Sequence, residues 1–485
     1  MKRIDADLLV IGSGPGGAMT ACVAAEAGRD VLIVEEGSHH SVDSAPSFSL
    51  AEMDQKYRNG GLNVTFGGTS ITYLEGRCVG GGSEINAALY HRPLDQTLRE
   101  WRDQTKIHGF EPADLWPHFE AVERDCNVNL VPGGPGPAAD LLKRGAGAMG
   151  WSTRDIARFW SYPAKGEPPL AGSGRQSMTV TLVPRALRAG ARLMPDTRVL
   201  RLTREGGRVT GAIAERSRAG EPHERYELRA KDVFVCAGAV QTPRLLRRSG
   251  LTHNVGDTLQ LHPMIRVTAH FPEPMNDLGY GVPTEQVDAF KPALTLGCSY
   301  SSVPHLALWM GAEPTPGNAS AKLDKLRDWR RTGIFYVAAV GTGKGRIRDL
   351  PVVREPFIRL PLTTDDLKRL GEGFLRLGQL LFAAGADAIS TPVNGGPPIR
   401  DRAALDAVAS ALPQGKMTVS TIHLFSSVPM GADDRVTGTD SYGRVHGTTN
   451  LYVNDASLFP ASPAVNPQGT VLAVARRNVL EWLGG

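Results

Sequence analysis

The sequence predicts an α/β protein with two domains, and three observations carry this prediction. A buried strand at residues 8–11, a glycine-rich turn, a helix at 16–27 and a strand at 31–34 open the chain as a βαβ unit. Between about residues 265 and 415 the pattern changes to strands and one long helix. At 485 residues the chain also exceeds the length that one ordinary core organises. We therefore expect a βαβ-based domain and a second, α+β domain.

Composition narrows the class of protein. Hydrophobic residues make up 41% and charged residues 21% of the chain, which is a globular balance. The net charge of +4 leaves no electrostatic footprint for nucleic acid, and no apolar run reaches the roughly 18 residues of a membrane span. The cysteines include no CxxC pair, which predicts reduced thiols. The apolar stretch at the amino terminus is too short for the core of a signal peptide, so we expect a cytoplasmic protein. We expect no metal site, no nucleic-acid partner and no membrane partner.

The turn after the first strand matches a dinucleotide fingerprint. Gly12, Gly14 and Gly17 satisfy GxGxxG, with Pro15 and Gly16 between the second and third glycines. The first glycine permits the tight turn, the second lets backbone N–H groups approach a pyrophosphate, and the third allows close packing of helix on strand. Because the motif follows a strand and opens a helix, the sequence predicts a Rossmann-like domain that binds a dinucleotide.

Two further features narrow the choice of dinucleotide. Glu35 ends the second strand about 20 positions after the first glycine, where a carboxylate can accept the adenosine ribose hydroxyls. A second glycine cluster at residues 341–346 has Arg346 in the place of the third glycine and is followed by extended chain, which predicts a hairpin turn. Flavin reductases that take electrons from a nicotinamide usually need two fingerprints. We therefore expect any flavin bound here to be reduced by the substrate.

The later pattern predicts the remaining elements. Helices are expected at residues 179–189 and 365–384, the second of them capped by Thr364. Residues 38–82 are rich in glycine and show neither the helical nor the strand period of apolar residues, which predicts irregular chain that covers a cofactor. Strands are expected at five places, the first two of them paired: residues 198–203, 209–214, 231–236, 306–310 and 334–340.

The glycine-rich segment at residues 76–86 carries a more specific signal. It resembles the second FAD motif of the glucose-methanol-choline (GMC) oxidoreductases, in which consecutive glycines let backbone amides approach the flavin and its phosphates. Some members of that family attach FAD through a histidine one position before the motif's asparagine. Ile85 takes that place here, which implies non-covalent FAD. The cofactor residues implied by this motif are Arg77, Val79, Gly80, Gly81, Ser83 and Asn86.

Three other segments are similar to the same family. Residues 236–250 resemble another of its motifs, although Leu251 and Thr252 stand where the family has an apolar residue and a glycine. Residues 254–263 resemble the continuation of that motif, and residues 450–470 resemble the family's carboxy-terminal segment. By this resemblance, further FAD contacts are implied at Val199, Ala237, Gly238, Asp455, Ala456, Pro467 and Gln468.

The resemblance also implies a domain organisation. It covers roughly residues 1–265 and 415–485, which would form a discontinuous FAD-binding domain with substrate-domain excursions around 87–175. Residues 266–414 would form a substrate-binding domain of α+β type, built on an antiparallel sheet. The similarity is weakest in this middle part, where substrates are chosen.

The catalytic hypothesis rests on one of twelve histidines. His423 precedes residues 426–431, which are similar to the family's histidine-glycine-threonine segment, although several positions depart from its commonest residues. Asn466 follows 43 positions later, as the family's second active-site residue does. A neutral imidazole, with a pKa of about 6.5, can accept a hydroxyl proton, and an amide N–H can stabilise the developing alkoxide. His262 and His91 are weaker candidates, for which structural roles are favoured.

The resemblance implies oxidation of an alcohol, a CH–OH donor, to an aldehyde or ketone by hydride transfer to flavin N5, with His423 as the base. The implied substrate is a polar, sugar-like primary alcohol of secondary metabolism, such as an aminoglycoside, and O2 or another acceptor would reoxidise the flavin. The same fold also carries hydroxynitrile lyases and a light-driven decarboxylase, and a flavin-binding module without catalysis is a third alternative. The presence of both His423 and Asn466 favours catalysis over the last of these.

Overall fold

The computed structural model describes the chain except residues 135, 163–173, 219, 277–281, 313–322, 325, 351–352, 413 and 485. Its strands are, in chain order, β1 (Lys2–Ile11), β2 (Val31–Val34), β3 (Asn63–Thr65), β4 (Ile71–Tyr73), β5 (Val128–Asn129), β6 (Thr153–Asp155), β7 (Arg158–Phe159), β8 (Arg192–Met194), β9 (Thr197–Glu205), β10 (Arg208–Arg216), β11 (Glu224–Val235), β12 (Gln260–Leu261), β13 (Met264–His270), β14 (Glu285–Val287), β15 (Leu294–Cys298), β16 (Thr332–Ala339), β17 (Arg346–Arg348), β18 (Phe357–Arg359), β19 (Ala388–Ile389), β20 (Val419–Thr421), β21 (Leu424–Phe425) and β22 (Leu451–Val453).

The helices are, in chain order, α1 (Pro15–Glu26), α2 (Leu50–Lys56), α3 (Asp95–Thr105), α4 (Pro112–Asp125), α5 (Pro137–Ala148), α6 (Leu182–Arg188), α7 (Gly238–Arg248), α8 (Val303–Ala312), α9 (Thr364–Ala383), α10 (Arg402–Ser410) and α11 (Gln468–Gly484). Among the helices of the described ranges, none is both long enough and apolar enough to cross a membrane.

The first sheet confirms the predicted βαβ opening. Its strand order is β8-β2-β1-β11-β10-β9, and β22 also pairs with β11. The pairs β1–β2, β1–β11, β2–β8 and β11–β22 are parallel, whereas β9 and β10, which were predicted to pair, do so in antiparallel orientation. Helix α1 packs against α6 and α11 on this sheet. The four residues of β2 are all buried, as a central parallel strand requires.

The second sheet has the strand order β3-β4-β20-β13-β16-β15-β14-β6, and β19 also pairs with β13. It is antiparallel apart from the β4–β20 pair. Helix α9 packs against β16, α5 and α10, and it buries Phe374 and Leu377 in a second hydrophobic core. The sheet draws β3, β4 and β20 from outside residues 266–414, and the boundaries of the two domains stay a prediction.

Four local expectations need correction. Residues 306–310 were expected as a strand but lie in α8, because an uninterrupted apolar run has no period that separates a buried helix from a buried strand. Residues 38–82 are less irregular than expected, since they contain α2, β3 and β4. Helix α9 is capped by Thr363, whose side chain accepts from the Asp366 N–H, and not by Thr364. The glycines at 341–346 precede the β17–β18 hairpin and do not form its turn.

Candidate functional site

A cavity of about 300 Å³ lies at the carboxyl ends of β1, β2 and β11. This is the edge of a parallel sheet at which α/β proteins bind nucleotides. Most of the residues that the sequence assigned to a cofactor line this cavity: Gly12, Gly14, Pro15, Gly16, Glu35, Gly81, Asn86, Val199, Ala237, Gly238, Asp455, Ala456, Pro467 and Gln468. His423 and Asn466 line it as well. Four segments that are distant in the sequence therefore meet around one space.

Two glycine turns face each other in this cavity. A Cβ atom on Gly81 would lie 2.9 Å from the Cα atom of Gly14, so the second turn does not tolerate a side chain there without movement. Gly12 has φ +102°, and a Cβ atom on it would lie 2.3 Å from the Cys236 carbonyl oxygen. The bare backbone between these turns, at the N-terminus of α1, fits a pyrophosphate.

Glu35 lies where an adenosine ribose is expected, and it also holds the glycine turn. Its Oε2 accepts hydrogen bonds from the Ser13 N–H at 3.0 Å and the Ser13 hydroxyl at 2.8 Å, and its Oε1 accepts from the Gly37 N–H at 2.9 Å. Burial raises the pKa of this carboxyl, although the three donors oppose the shift. Two carboxylate oxygens offer about four acceptor positions, so Glu35 retains acceptor capacity for ribose hydroxyls.

The other predicted cofactor residues shape the loops around the cavity and do not line it. A Cβ atom on Gly17 would lie 1.9 Å from the Gly12 carbonyl oxygen, which is the close packing expected for the third glycine. The Ser83 hydroxyl donates to the Gly80 carbonyl at 2.7 Å. The Val79 N–H donates to the Ser38 carbonyl at 3.0 Å, and Arg77 forms an ion pair with Glu36 at 3.3 Å.

Asp455 and Asn86 connect the carboxy-terminal segment to the flanking loops. Asp455 Oδ2 accepts from the Gly238 N–H at 2.8 Å and the Thr242 hydroxyl at 2.5 Å. The Asn86 amide donates to Gln468 Oε1 at 2.5 Å. Sequence reasoning missed the structural partner Thr242, whose role depends on a contact across about 200 residues of chain.

The proposed catalytic pair comes together at one end of the cavity. His423 lies between β20 and β21, and Asn466 lies just before α11. The Asn466 Nδ2 atom is 3.3 Å from His423 Nε2. His262 adjoins them because β12 pairs with β21, and its Nδ1 atom lies 2.9 Å from His423 Nδ1. On its other side, His262 Nε2 lies 2.5 Å from the Ser462 hydroxyl oxygen.

These contacts couple the tautomers of the two histidines. Burial lowers the pKa of His423 well below its usual value, and His262 lowers it further, while burial lowers the pKa of His262 to about 3. Both rings are therefore neutral near pH 7, and only one of the two facing Nδ1 atoms carries a proton. If His423 donates from Nδ1, its Nε2 lone pair faces Asn466 and the cavity, and His262 donates from Nε2 to Ser462.

A second, smaller cavity of about 30 Å³ adjoins the first at His423 and Asn466. Its polar lining includes His91, Lys291 and Tyr336, none of which lines the larger cavity. Sequence reasoning kept His91 as a weaker candidate and missed Lys291 and Tyr336. No sequence signal marks these two residues, since their placement depends on the register of β14, β15 and β16.

The geometry defines a dinucleotide-binding oxidoreductase site. Two glycine turns, a buried carboxylate and an elongated cavity that ends at a histidine–asparagine pair fit a flavin dinucleotide. Residues 7–59 match the model of an FAD binding domain, and residues 53–264 and 348–475 match models described as GMC oxidoreductase.

The chain belongs to the GMC oxidoreductase family, and FAD is its cofactor. A GMC-type oxidoreductase of Sinorhizobium fredii (strain NBRC 101917 / NGR234) is 37% identical over 480 residues, which cover 98% of this chain and 94% of that protein. The 5-(hydroxymethyl)furfural oxidase of Methylovorus sp. (strain MP688) is 28% identical over 84% of this chain and 82% of its own length. The crystal structure of pyridoxine 4-oxidase from Mesorbium loti shares the fold, with a TM-score of 0.74 at 19% identity over 99% of both chains.

Proposed function

We propose that the protein oxidises an alcohol to an aldehyde or ketone, with His423 as the base. The observation that carries this proposal is the meeting of His423 Nε2 and Asn466 Nδ2, 3.3 Å apart, where the two cavities join. A base and a hydrogen-bond donor at one point are what removal of a hydroxyl proton needs. When bound, FAD supplies the acceptor for the hydride that leaves the alcohol carbon.

His423 and Asn466 divide the work on the hydroxyl group. In the tautomer in which His423 donates from Nδ1 to His262, the His423 Nε2 lone pair accepts the O–H proton. The Asn466 N–H donates to the oxygen as its negative charge develops, and it does not compete for the proton. Burial of His423 strengthens its interaction with the hydroxyl group.

A polar primary alcohol is the substrate that we favour. The name of the Methylovorus relative, an oxidase of 5-(hydroxymethyl)furfural, supports a hydroxymethyl donor. Among the described residues, the lining of the small cavity includes Lys291 and has no Asp or Glu. This lining favours a sugar-like alcohol without positive charge over the aminoglycoside considered from the sequence. O2 or another acceptor would complete the cycle.

Anaerobic mixing with a panel of alcohols tests the proposal. We expect at least one polar primary alcohol to bleach the flavin absorbance fully, and deuterium on its carbinol carbon to slow the bleaching. A hydroxynitrile lyase, a light-driven decarboxylase or a flavin-binding module without catalysis would leave the flavin oxidised in the dark. Bleaching by no alcohol of the panel would refute the proposed function.

A further inference from the structure

The small cavity beside His423 contains a cationic side chain. Lys291 is partly buried and lines this cavity together with His423 and Asn466. Within the part of the chain that the structure describes, Lys291 has no ion pair with a carboxylate, and no Asp or Glu lines the cavity. A cation withdrawn from water is costly unless a negative charge accompanies it. Burial lowers the pKa of Lys291, and the carboxylate of Asp288 opposes this shift only in part. A ligand that brings a negative charge into the cavity would add to this compensation.

A second donor lies in the same cavity. The Tyr336 hydroxyl oxygen accepts a hydrogen bond from Gln286 Nε2 at 2.8 Å, and Gln286 Oε1 lies 3.0 Å from His91 Nε2. Because this oxygen already accepts from the glutamine, its own proton is available to an acceptor in the cavity. Gln286 is buried, so the orientation of Tyr336 is held from behind. An ammonium group and a phenol proton together form a donor set for an anionic oxygen.

The position of Lys291 favours contact with the substrate over contact with the flavin. Lys291 does not line the larger cavity, in which the cofactor residues meet, and it shares the smaller one with the catalytic pair. The positive charge of Lys291 acts on the residues of the smaller cavity. Burial lowers the pKa of His91, which lines that cavity, and Lys291 lowers it further, to about 3. Room in the smaller cavity is limited to about 30 Å³, and one water-sized group needs about 10–15 Å³. A carboxylate fits there better than a phosphate.

We propose that Lys291 and Tyr336 form an anion subsite, and that the preferred substrates are small alcohols that carry a carboxylate. This inference rests on the proposed function, because it names the class of alcohol that His423 deprotonates. The carboxylate binds at Lys291 and Tyr336, and the hydroxyl group reaches His423 and Asn466.

Matched alcohols of different charge test this subsite in the holoenzyme. The probes are 4-hydroxybutyrate, 1,4-butanediol and 4-aminobutan-1-ol, together with glycolate, ethylene glycol and ethanolamine as a shorter set. In anaerobic stopped-flow experiments we expect the hydroxy acid of at least one set to reduce the flavin at least about 10-fold more efficiently than its diol, and the amino alcohol to be slowest. Equal efficiency for all three charges in both sets would overturn the subsite.

Variants assign the charge preference to residues. We expect Lys291→Met to lower the efficiency of the hydroxy acid about 10- to 100-fold, and to lower that of the diol by a clearly smaller factor. Tyr336→Phe should lower it less, about 3- to 10-fold, since a neutral donor is lost. Lys344→Met is the matched control, because Lys344 is exposed and does not line the cavity. A Lys291→Met enzyme that retains the full preference would refute the assignment.

Binding without turnover separates this inference from the proposed function. Butyrate and butyramide cannot be oxidised as alcohols, and either can be titrated against the flavin absorption spectrum. We expect saturable perturbation by butyrate at lower concentrations than by butyramide, and loss of this difference in Lys291→Met. If no alcohol bleaches the flavin but this difference is found, alcohol oxidation fails and the anion subsite stands. Equal binding of butyrate by the parent and by Lys291→Met would overturn the subsite alone.

Discussion

The contact between His262 and His423 couples the tautomers of the two rings: where His423 donates from Nδ1, its Nε2 atom is the nitrogen free to accept a proton. Their Nδ1 atoms lie 2.9 Å apart, so one ring must donate to the other. Ser462, at 2.5 Å from His262 Nε2, gives the second ring a partner on its far side. The contacts from Ser462 through His262 to His423 make His262 a positioning residue, because His262 acts on the substrate only through the orientation and tautomer of His423.

We expect His262→Gln to lower the rate of flavin reduction by alcohol about 10-fold, with FAD retained. Because His262 contributes to lowering the pKa of His423, its removal should raise that pKa. His423 would then be protonated, and inactive as a base, at a higher pH than in the parent. The acid limb of the rate profile should move to higher pH, as measured by anaerobic stopped flow between pH 5 and 9. A purely structural role would lower the rate without moving this limb.

Among single residues, those that lie in a recognisable sequence motif could be predicted from the sequence. His423 and Asn466 were found by their spacing and by family resemblance, and the structure places them 3.3 Å apart. Their catalytic roles stay a prediction. Lys291 and Tyr336 could not be found, because nothing in the residues around them marks a site and only strand pairing brings them to His423.

The turn between β1 and α1 shows how closely a helix packs when its first turn contains glycines. A Cβ atom on Gly16 would lie 1.9 Å from the Asn454 carbonyl oxygen, which belongs to the chain just after β22. The glycine therefore lets α1 lie against the carboxy-terminal segment that carries Asp455. Close approach of backbone to backbone leaves no flexible side chain that could make room.

We expect Gly16→Ala to destabilise the protein by about 3 kcal/mol or more, since the added methyl group must displace backbone. The purified variant should have a lower FAD content and a lower thermal midpoint than the parent. Gly147→Ala, on the exposed side of α5, is the control, because its Cβ atom would meet nothing within 4 Å. That change should be neutral or stabilise by up to about 1 kcal/mol. A Gly16→Ala protein with parental FAD content and midpoint would contradict this view of the turn.

Elements with a clear period or a marked end were predictable, and elements defined by tertiary contacts were not. The predicted positions of β2, β9, β10 and α9 agree with the structure within a few residues, whereas β1 ends where predicted but begins at Lys2, well before the predicted residue 8. The prediction of a strand at residues 306–310 was wrong, because an apolar run of this kind suits a strand and a helix equally. The short strands β3 and β4 pair with each other, and β4 also pairs with β20; this pairing is not encoded in their own residues.

The whole molecule places the candidate site where its two sheets are connected. Strand β12 directly precedes β13, and β21 directly follows β20. The β12–β21 pair therefore joins two segments that adjoin strands of the second sheet. The same pair positions His262 beside His423. Cofactor residues come from the edge of the first sheet, while Lys291 and Tyr336 come from the second sheet and its loops.

The most direct test of the central claim is anaerobic stopped-flow reduction of fully flavinated His423→Ala by the best alcohol. We expect a rate at least about 100-fold below that of the parent, because general-base assistance typically contributes about 10²–10⁴-fold. The FAD content should be unchanged. His39→Ala is the matched control, since His39 is exposed and lines neither cavity, and it should react at the parental rate. A His423→Ala enzyme that is reduced at the parental rate between pH 6 and 9 would show that the base lies elsewhere.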